Sequence, residues 1–130
     1  MKVTKKTLFA ILACLYMARR PKSKVSAEEI AKHCRTTTGF MNLIFLDLKK
    51  ASLITSKKGP SGGYSLDIPF TELTLDKIIR ATDNLTNKSI DEAIENSSND
   101  EVKTDLLNLE NSFVSIYNRG FTKLTIKELL

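Results

Sequence analysis

The residues of this chain best suited to chemistry are two lysines in the glycine-rich run KKGPSGG at residues 57–63. The ammonium groups of Lys57 and Lys58 can contact phosphates, and the glycines let the backbone approach a nucleic-acid groove closely. The proline and the glycines also break any helix and favour a turn. The alternative is a surface loop with incidental lysines, and the elements before this run favour the first interpretation.

Residue types that support catalysis or metal binding are scarce. The chain has one histidine and two cysteines, Cys14 and Cys34, which form neither a metal-ligand pair nor a CxxC motif. No Ser/His/Asp set has a recognisable context, and the glycines at 59–63 are not followed by the Gly-Lys-Ser/Thr signal of a P-loop. We therefore expect no enzyme, no metal site and no cofactor. A thiol sensor at Cys34, whose neighbours His33 and Arg35 could lower its pKa, is the weaker alternative to a buried structural cysteine.

Charge is divided unevenly along the 130 residues. Residues 1–70 contain 13 Lys and Arg against 4 Asp and Glu, whereas residues 71–130 contain 7 against 11. The basic front half predicts a polyanionic partner. No apolar run is long enough to span a bilayer, and no cleavage site follows the basic start, so we expect no membrane partner. Without a disulfide pattern, a cytoplasmic protein is the default expectation.

Two helices are predicted in the segment that precedes the basic run. Residues 4–19 form the first, and apolar residues such as Leu8 and Leu12 leave so little polar surface that most of its circumference should be buried. The second begins at the capping box Ser26-x-x-Glu29, in which the serine oxygen accepts from an amide and the glutamate reaches back. It should end near Arg35.

A third helix covers about residues 38–51, and a threonine of the preceding Thr36–Thr38 turn caps it. Its exposed face carries Leu43 and Leu46 where a reading helix usually presents polar groups. Leu43 could contact a thymine methyl group and Asn42 could pair with adenine, or the same face could meet protein. The sequence leaves these alternatives open. The buried face, at helical spacing, consists of Met41, Ile44, Phe45 and Leu48.

Short β-type runs flank the basic run, at residues 53–55 and 64–66. The predicted order is therefore helix, helix, helix, strand, basic turn, strand. A short helix, a tight turn and a second helix make a helix-turn-helix, and the hairpin adds a wing with a basic tip. The fold class is mainly α with a small β-hairpin wing.

The back half of the chain is predicted to contain four more helical segments. Thr74 caps an amphipathic helix, and the polar residues 83–99 hold a further capping box at Ser89-x-x-Glu92. The longest helix starts at Ser98-x-x-Glu101 and ends near Gly120. A last short helix is capped at Thr125-x-x-Glu128.

Apolar residues of the longest helix are spaced 4, 3, 4 and 3 residues apart, the seam by which two helices pack side by side. They are Val102, Leu106, Leu109, Phe113 and Ile116. We interpret them as a homodimer seam, because the front half already has its own core; the alternative is a helix packed only on its own domain. Residues 1–82 would then be a winged helix-turn-helix DNA-binding domain, and residues 83–130 a linker and dimerisation region.

These motifs resemble one family, the Rrf2 type of bacterial winged-helix transcription regulators. The resemblance covers most of the chain and is most specific at the Gly-x-x-Gly-Gly-Tyr wing, residues 59–64. It also rests on residues 25–31, on 40–41 with 48–54, and on 75–81. It implies a homodimer that places the third helix of each protomer in the major groove of double-stranded DNA. The expected function is a sequence-specific regulator, with repression favoured, on a palindromic operator.

The resemblance also assigns individual residues to the DNA surface. At the first helix, Lys2 and Thr4 are expected to contact phosphate, which fixes register without reading sequence. The remaining assignments fall in the helix-turn-helix and in the wing, and they are Ser26, Thr37, Thr38, Asn42, Lys57, Lys58, Ser61, Gly62 and Gly63.

The chain departs from the family pattern in two places. Many members hold an iron–sulfur cluster with three cysteines before the long helix, but residues 83–99 contain no cysteine, which excludes a cluster by that route. Ser52 stands where the family usually has glycine. One alternative to a DNA-binding regulator is a winged-helix module that acts through a protein partner, which the two exposed leucines favour. The other is the thiol sensor.

Overall fold

The computed structural model describes residues 4–82, 95–97, 99–108, 111 and 124–130. Over these residues the fold is mainly helical with one antiparallel hairpin, as predicted, and residues 100–108 are also helical. Among the described residues, no helix has the length and apolar character needed to cross a membrane. The named elements are α1 (Lys5–Ala18), α2 (Ala27–Cys34), α3 (Thr38–Lys50), β1 (Ile54–Lys57), β2 (Gly63–Leu66), α4 (Leu75–Thr82) and α5 (Ile126–Leu129).

Helices α1 to α4 and the hairpin share one apolar core. Ile30 of α2, Phe45 of α3 and Ile78 of α4 are all almost completely buried in it. The predicted apolar face of α3 is confirmed, because its four members are the buried residues of that helix. Packing of this face against α1, α2 and α4 fixes the rotation of α3 and so decides which of its residues remain outside.

The last residues of the chain pack into the same core. Ile126 is completely buried, and its amide donates to the Leu73 carbonyl at 2.8 Å. The amide of Leu75 in turn donates to the Leu124 carbonyl at 2.9 Å. Thr125 stands at the N-terminal end of α5 as predicted, but its side chain makes no capping hydrogen bond, so that part of the prediction is wrong. Backbone pairing with Thr74 holds this segment instead.

One side of α1 is left uncovered by the described part of the chain. Leu8 is 52% exposed and Leu12 is 42% exposed, so the prediction that most of the circumference is buried is wrong for these two leucines. The reason is that the small residues of α1 face the core. Ala10, Ala13 and Cys14 are completely buried and allow the neighbouring helices to approach closely.

Side-chain caps begin the first three helices, and the sequence predicts the caps of the second and third but not the cap at Thr4. The hydroxyl oxygens of Thr4, Ser26 and Thr37 accept from the amides three residues later at 3.0 to 3.2 Å. The Glu29 half of the capping box is wrong, because its carboxylate accepts from the Tyr16 hydroxyl at 2.5 Å. The helical segment 100–108 is capped by Asn99, which accepts from two amides, whereas the predicted cap Ser98 lies outside the described residues.

Helix α3 ends in a left-handed turn at Ser52, whose φ is +59°. The Leu53 amide donates to the Leu48 carbonyl and the Ser52 amide to the Lys49 carbonyl, both at 3.0 Å. This pair of bonds is a Schellman motif, and its left-handed position is usually occupied by glycine because a Cβ is strained there. The motif turns the chain directly from α3 into β1.

Replacing Ser52 by glycine is expected to raise the free energy of unfolding by about 0.5–1 kcal/mol, since relief of the left-handed strain outweighs the extra freedom of glycine in the unfolded chain. Urea unfolding of the full chain measures this. Ser61→Gly is the control, because Ser61 is not among the described non-glycine residues with positive φ. A Ser52→Gly protein no more stable than the wild type would contradict the assignment.

Candidate nucleic-acid interface

The base of the wing is bonded to the segment that leads into α2. The Val25 amide donates to the Tyr64 carbonyl at 2.9 Å, and the Tyr64 amide donates back to the Val25 carbonyl at 2.7 Å. Lys24 Nζ also donates to Ser65 Oγ at 3.0 Å. These bonds place the first turn of α2, which begins after Ser26, directly beside the hairpin.

The other end of the helix-turn-helix is bonded to the hairpin as well. Lys49, in the last turn of α3, donates from Nζ to Ser56 Oγ in β1 at 2.6 Å. Beneath this contact the rings of Phe45 and Tyr64 pack with their centroids 4.4 Å apart. The wing is therefore held at both its strands, and α2, α3 and the hairpin form one connected surface.

Most of the predicted DNA-contact residues lie on the outside of this surface. Gly62 and Gly63 are half-buried, and Lys2 lies outside the described residues. Thr4 is exposed too, but it lies at the start of α1. The exposed ones on this surface are Ser26, Thr37, Thr38, Asn42, Lys57, Lys58 and Ser61. Their contacts with DNA stay a prediction.

The capping residues keep a hydrogen-bond donor available. The oxygens of Ser26 and Thr37 accept from helix amides, which leaves each hydroxyl proton to point outward to a phosphate oxygen. Both residues stand at helix N-terminal ends, where the backbone amides favour negative charge. The hydroxyl of Thr4 differs, because it donates to Thr7 Oγ1 at 3.2 Å.

Carboxylates near the helix-turn-helix are engaged with partners. Asp47, the one acidic residue of α3, pairs with Lys6 of α1, and Glu29 accepts from Tyr16. Within the described part of the chain, neither Lys57 nor Lys58 takes part in an ion pair, and both are exposed. The wing therefore presents uncompensated positive charge.

Sequence reasoning missed Lys24 and Lys49 as members of this surface. Both are exposed and lie at the edges of the wing through their bonds to Ser65 and Ser56. The sequence did offer one signal, because both lysines stand next to a predicted helix end that borders the wing. Their partners are 41 and 7 residues away along the chain, so only the folded structure connects them.

The exposed face of α3 is apolar, as its sequence predicts. Leu43 is 57% exposed and Leu46 is 50% exposed, and Asn42 beside them is also exposed. One turn before Leu43, a Cβ at Gly39 would have no atom within 4 Å apart from the adjoining residues and backbone of its own helix. The backbone of α3 is thus open to close approach at its first turn.

Gly62 is required by the shape of the wing itself. A Cβ at this residue would lie 2.0 Å from the Lys57 carbonyl oxygen and 2.9 Å from that of Gly59. Gly63 has a φ of +143°, and a Cβ there would lie 2.8 Å from the Val25 carbonyl oxygen. Gly62 therefore lets the hairpin close against its own backbone, and Gly63 lets it approach the Val25 segment before α2, which is a structural reason for the Gly-Gly pair.

Gly62→Ala is expected to lower the free energy of unfolding by about 1–3 kcal/mol, the usual cost of forcing an atom into filled space. Gly39→Ala is the matched control, because the site is open and alanine is the better helix former, so its stability should stay equal or rise slightly. Thermal unfolding followed by circular dichroism compares the two. Equal losses in both variants would contradict the steric account.

The thiol of Cys34 does not have the property that a sensor requires. Burial raises its pKa, which lowers the thiolate fraction at neutral pH. The hypothesis that His33 and Arg35 lower this pKa is therefore wrong. The ring of His33 instead packs on Tyr16, with centroids 4.7 Å apart.

The predicted dimerisation seam is only partly within the described residues. Val102 is 44% exposed and Leu106 is half-exposed on the helical segment 100–108. Leu109, Phe113 and Ile116 lie outside the described residues. The seam stays a prediction.

Comparison with known proteins identifies the family. A family model described as Rrf2, iron-dependent transcriptional regulator, matches residues 3–130. The chain belongs to the Rrf2 family. This Rrf2 chain is 32% identical over 84 residues to the HTH-type transcriptional regulator IscR of Vibrio atlanticus, which covers 64% of the chain and 49% of the relative.

A second relative of this Rrf2 chain is a putative HTH-type transcriptional regulator, rrf2-like, of Rhodobacter capsulatus. It is 34% identical over 85 residues, which are 62% of the chain and 57% of the relative. The chain thus matches about half the length of these curated relatives. Among solved structures, CymR, the global cysteine regulator of B. subtilis, has a TM-score of 0.70 at 17% identity and covers 99% of the chain and 95% of its own. That likeness confirms the winged-helix fold.

The donor set of this Rrf2 chain does not fit the iron of the family description. Iron–sulfur clusters are held by cysteine thiolates, and the chain has only Cys14 and Cys34. Cys14 is completely buried, and burial raises the pKa of its thiol to about 12, so it stays protonated. Among the described residues, no group of three or more His, Cys, Asp or Glu side chains could hold a metal ion.

Proposed function

We propose that this Rrf2 protein is a homodimeric, sequence-specific DNA-binding regulator that represses by occupying a palindromic operator. The observation that carries the proposal is the bonded unit of α2, α3 and the wing, in which the exposed wing lysines Lys57 and Lys58 form no ion pair among the described residues. Such a unit is suited to DNA, because its charge favours phosphates while its helix is narrow enough for the major groove. Binding alone, without catalysis, carries this function in the cytoplasm.

In the proposed complex, α3 lies in the major groove with its first turn against the duplex. Ser26 and Thr37 donate their hydroxyl protons to phosphates on either side, and Thr38 and Asn42 face the groove. These contacts are supported by the exposure of all four side chains and by the caps that fix two of them. The helix N-terminal ends add their partial positive charge to the phosphate contacts.

The wing contributes affinity rather than sequence preference in this proposal. Lys57 and Lys58 contact the phosphate backbone, and the Ser61–Gly63 turn follows the groove edge. Lys24 and Lys49 add charge at the wing's base, and their bonds to serines orient them. Each phosphate neutralised releases counterions, so the binding should weaken steeply with added salt.

Dimerisation doubles the site. We infer that residues 83–130 supply the interface through the apolar seam that includes Val102 and Leu106, and that residues 1–82 supply the DNA contacts. Exposure of Val102 and Leu107 on a helix of the described chain supports this, because large apolar groups on a protein surface favour a partner. A two-fold protein matches a palindromic operator.

A gel-shift titration against genomic fragments, at low and at moderate salt, tests the proposed function. We expect a few fragments to bind with dissociation constants in the roughly nanomolar to micromolar range, and all binding to weaken as salt rises. No preference for any fragment over random DNA at either salt concentration would rule out sequence-specific regulation.

A further inference from the structure

An apolar stripe runs along the outer face of α3. Leu43 and Leu46 are three residues apart, so their side chains are neighbours, and they are 57% and 50% exposed. On the same face, Gly39 lies towards the start of the helix, where the space beside its backbone is open. Lys50 lies on this face towards the end of the helix and is exposed. The centre of the stripe thus contains neither a hydrogen-bond donor nor an acceptor.

The surroundings of this stripe favour a polyanion as its occupant. Lys49 and Lys50 end the same helix, and Lys57 and Lys58 extend the positive charge into the wing. Asp47, the only carboxylate of α3, is paired with Lys6, so its negative charge repels a bound polyanion only weakly. An apolar protein surface would gain nothing from this collar of lysines, whereas DNA satisfies both the lysines and the stripe.

Only one group on a base edge in the major groove is apolar, and that is the C5 methyl of thymine. Side chains one helical turn apart are about 5–6 Å from each other, and stacked bases are about 3.4 Å apart. Two adjacent leucines therefore span one to two base steps. From this geometry we infer that Leu43 and Leu46 read thymine methyl groups, so that each half-site carries thymines at neighbouring steps. This inference rests on the proposed function and specifies how its site discriminates sequence.

The test uses the full chain and a double-stranded library with a random central region. Sequences enriched by binding are resynthesised with each thymine replaced in turn by deoxyuridine, which removes only the methyl group. Burying one methyl is worth about fourfold in affinity, so one or two thymines per half-site should show about a fourfold loss for each methyl removed. Fluorescence anisotropy measures the affinities.

Protein variants connect the effect to the two leucines. Leu43→Ala and Leu46→Ala should each lose the discrimination between thymine and deoxyuridine at one position and keep it at the other. Leu12→Ala is the matched control, because Leu12 is an exposed leucine on α1, and it should keep both. The exposure of Leu43 and Leu46 means that their truncation leaves the core intact, which circular dichroism verifies.

Three results would overturn the inference. Two of them leave the proposed function standing, and the third refutes it as well. Enriched DNA that binds equally well with thymine or deoxyuridine at every position refutes methyl reading but leaves the proposed function standing. The same conclusion follows if a protein partner is captured by the wild type and lost in Leu43→Ser and Leu46→Ser, while both variants bind DNA normally. Failure to enrich any sequence removes the proposed function together with the inference.

Discussion

Replacing Lys57 and Lys58 together by alanine is expected to weaken binding to every DNA sequence by the same factor. Each lysine is exposed and neutralises one phosphate in the proposed complex, so a dimer loses four phosphate contacts. The slope of log affinity against log salt should become shallower by roughly 3 to 4, at about 0.9 per contact. Anisotropy titrations of a specific and a random duplex over a series of salt concentrations measure this slope.

The control for this variant is Lys77→Ala with Lys127→Ala. These lysines are exposed on α4 and α5, outside the helix-turn-helix and the wing, and their removal changes the net charge by the same amount. The control should keep nearly the whole slope of the wild type. If the two pairs reduce the slope equally, the wing makes no particular phosphate contact and total charge alone governs binding.

Replacing Leu106 by arginine is expected to convert the dimer into a monomer and to reduce affinity for a palindromic site by at least about 100-fold, because a bivalent complex becomes monovalent. A charge placed in an apolar seam must lose its hydration without gaining a partner. Leu106 is not part of the core formed by the described residues, so the winged helix should stay folded. Sedimentation equilibrium and anisotropy measure the two effects.

Thr104→Arg is the matched control for the seam. Thr104 lies two residues away on the same helical segment, on its other side, and is exposed. This variant should remain a dimer and keep its affinity. A Leu106→Arg protein that sediments with the mass of the wild-type dimer would place the interface elsewhere and refute the proposed seam.

Local patterns predicted the elements of the front half well. The apolar spacing of α3 gave its buried face, and the caps at Ser26 and within the Thr36–Thr38 turn gave the starts of α2 and α3. These features depend on residues within a turn or two of each other, so the sequence contains all the information. The exposed leucines of α3 follow from the same spacing.

Contacts between distant residues could not be predicted in the same way. Glu29 had two possible partners, the near amide of a capping box and the Tyr16 hydroxyl 13 residues away, and only packing of α1 on α2 decides for the second. The pairing of Val25 with Tyr64, which fixes the wing beside α2, depends equally on the tertiary fold. Burial of Ile126 among residues from the front half has no local signal at all.

Two further differences have simple physical causes. At the start of the helical segment 100–108, serine and asparagine are equally good N-terminal caps, so propensity alone does not point to Asn99, which the structure places there. On α1, hydrophobicity was a poor guide to burial because alanines let neighbouring helices approach, which leaves Leu8 and Leu12 outside. For Cys34, desolvation by burial raises the pKa, whereas the charges of its sequence neighbours predicted that the pKa would fall.

Footprinting of a bound genomic fragment with hydroxyl radicals and dimethyl sulfate tests most directly whether two copies of this protein read DNA with α3 and the wing. The proposed complex predicts two protected patches related by a dyad, about 10–10.5 base pairs apart centre to centre or a multiple of that spacing, with guanines protected in both major grooves. A single protected patch, or uniform protection without a dyad, would contradict it.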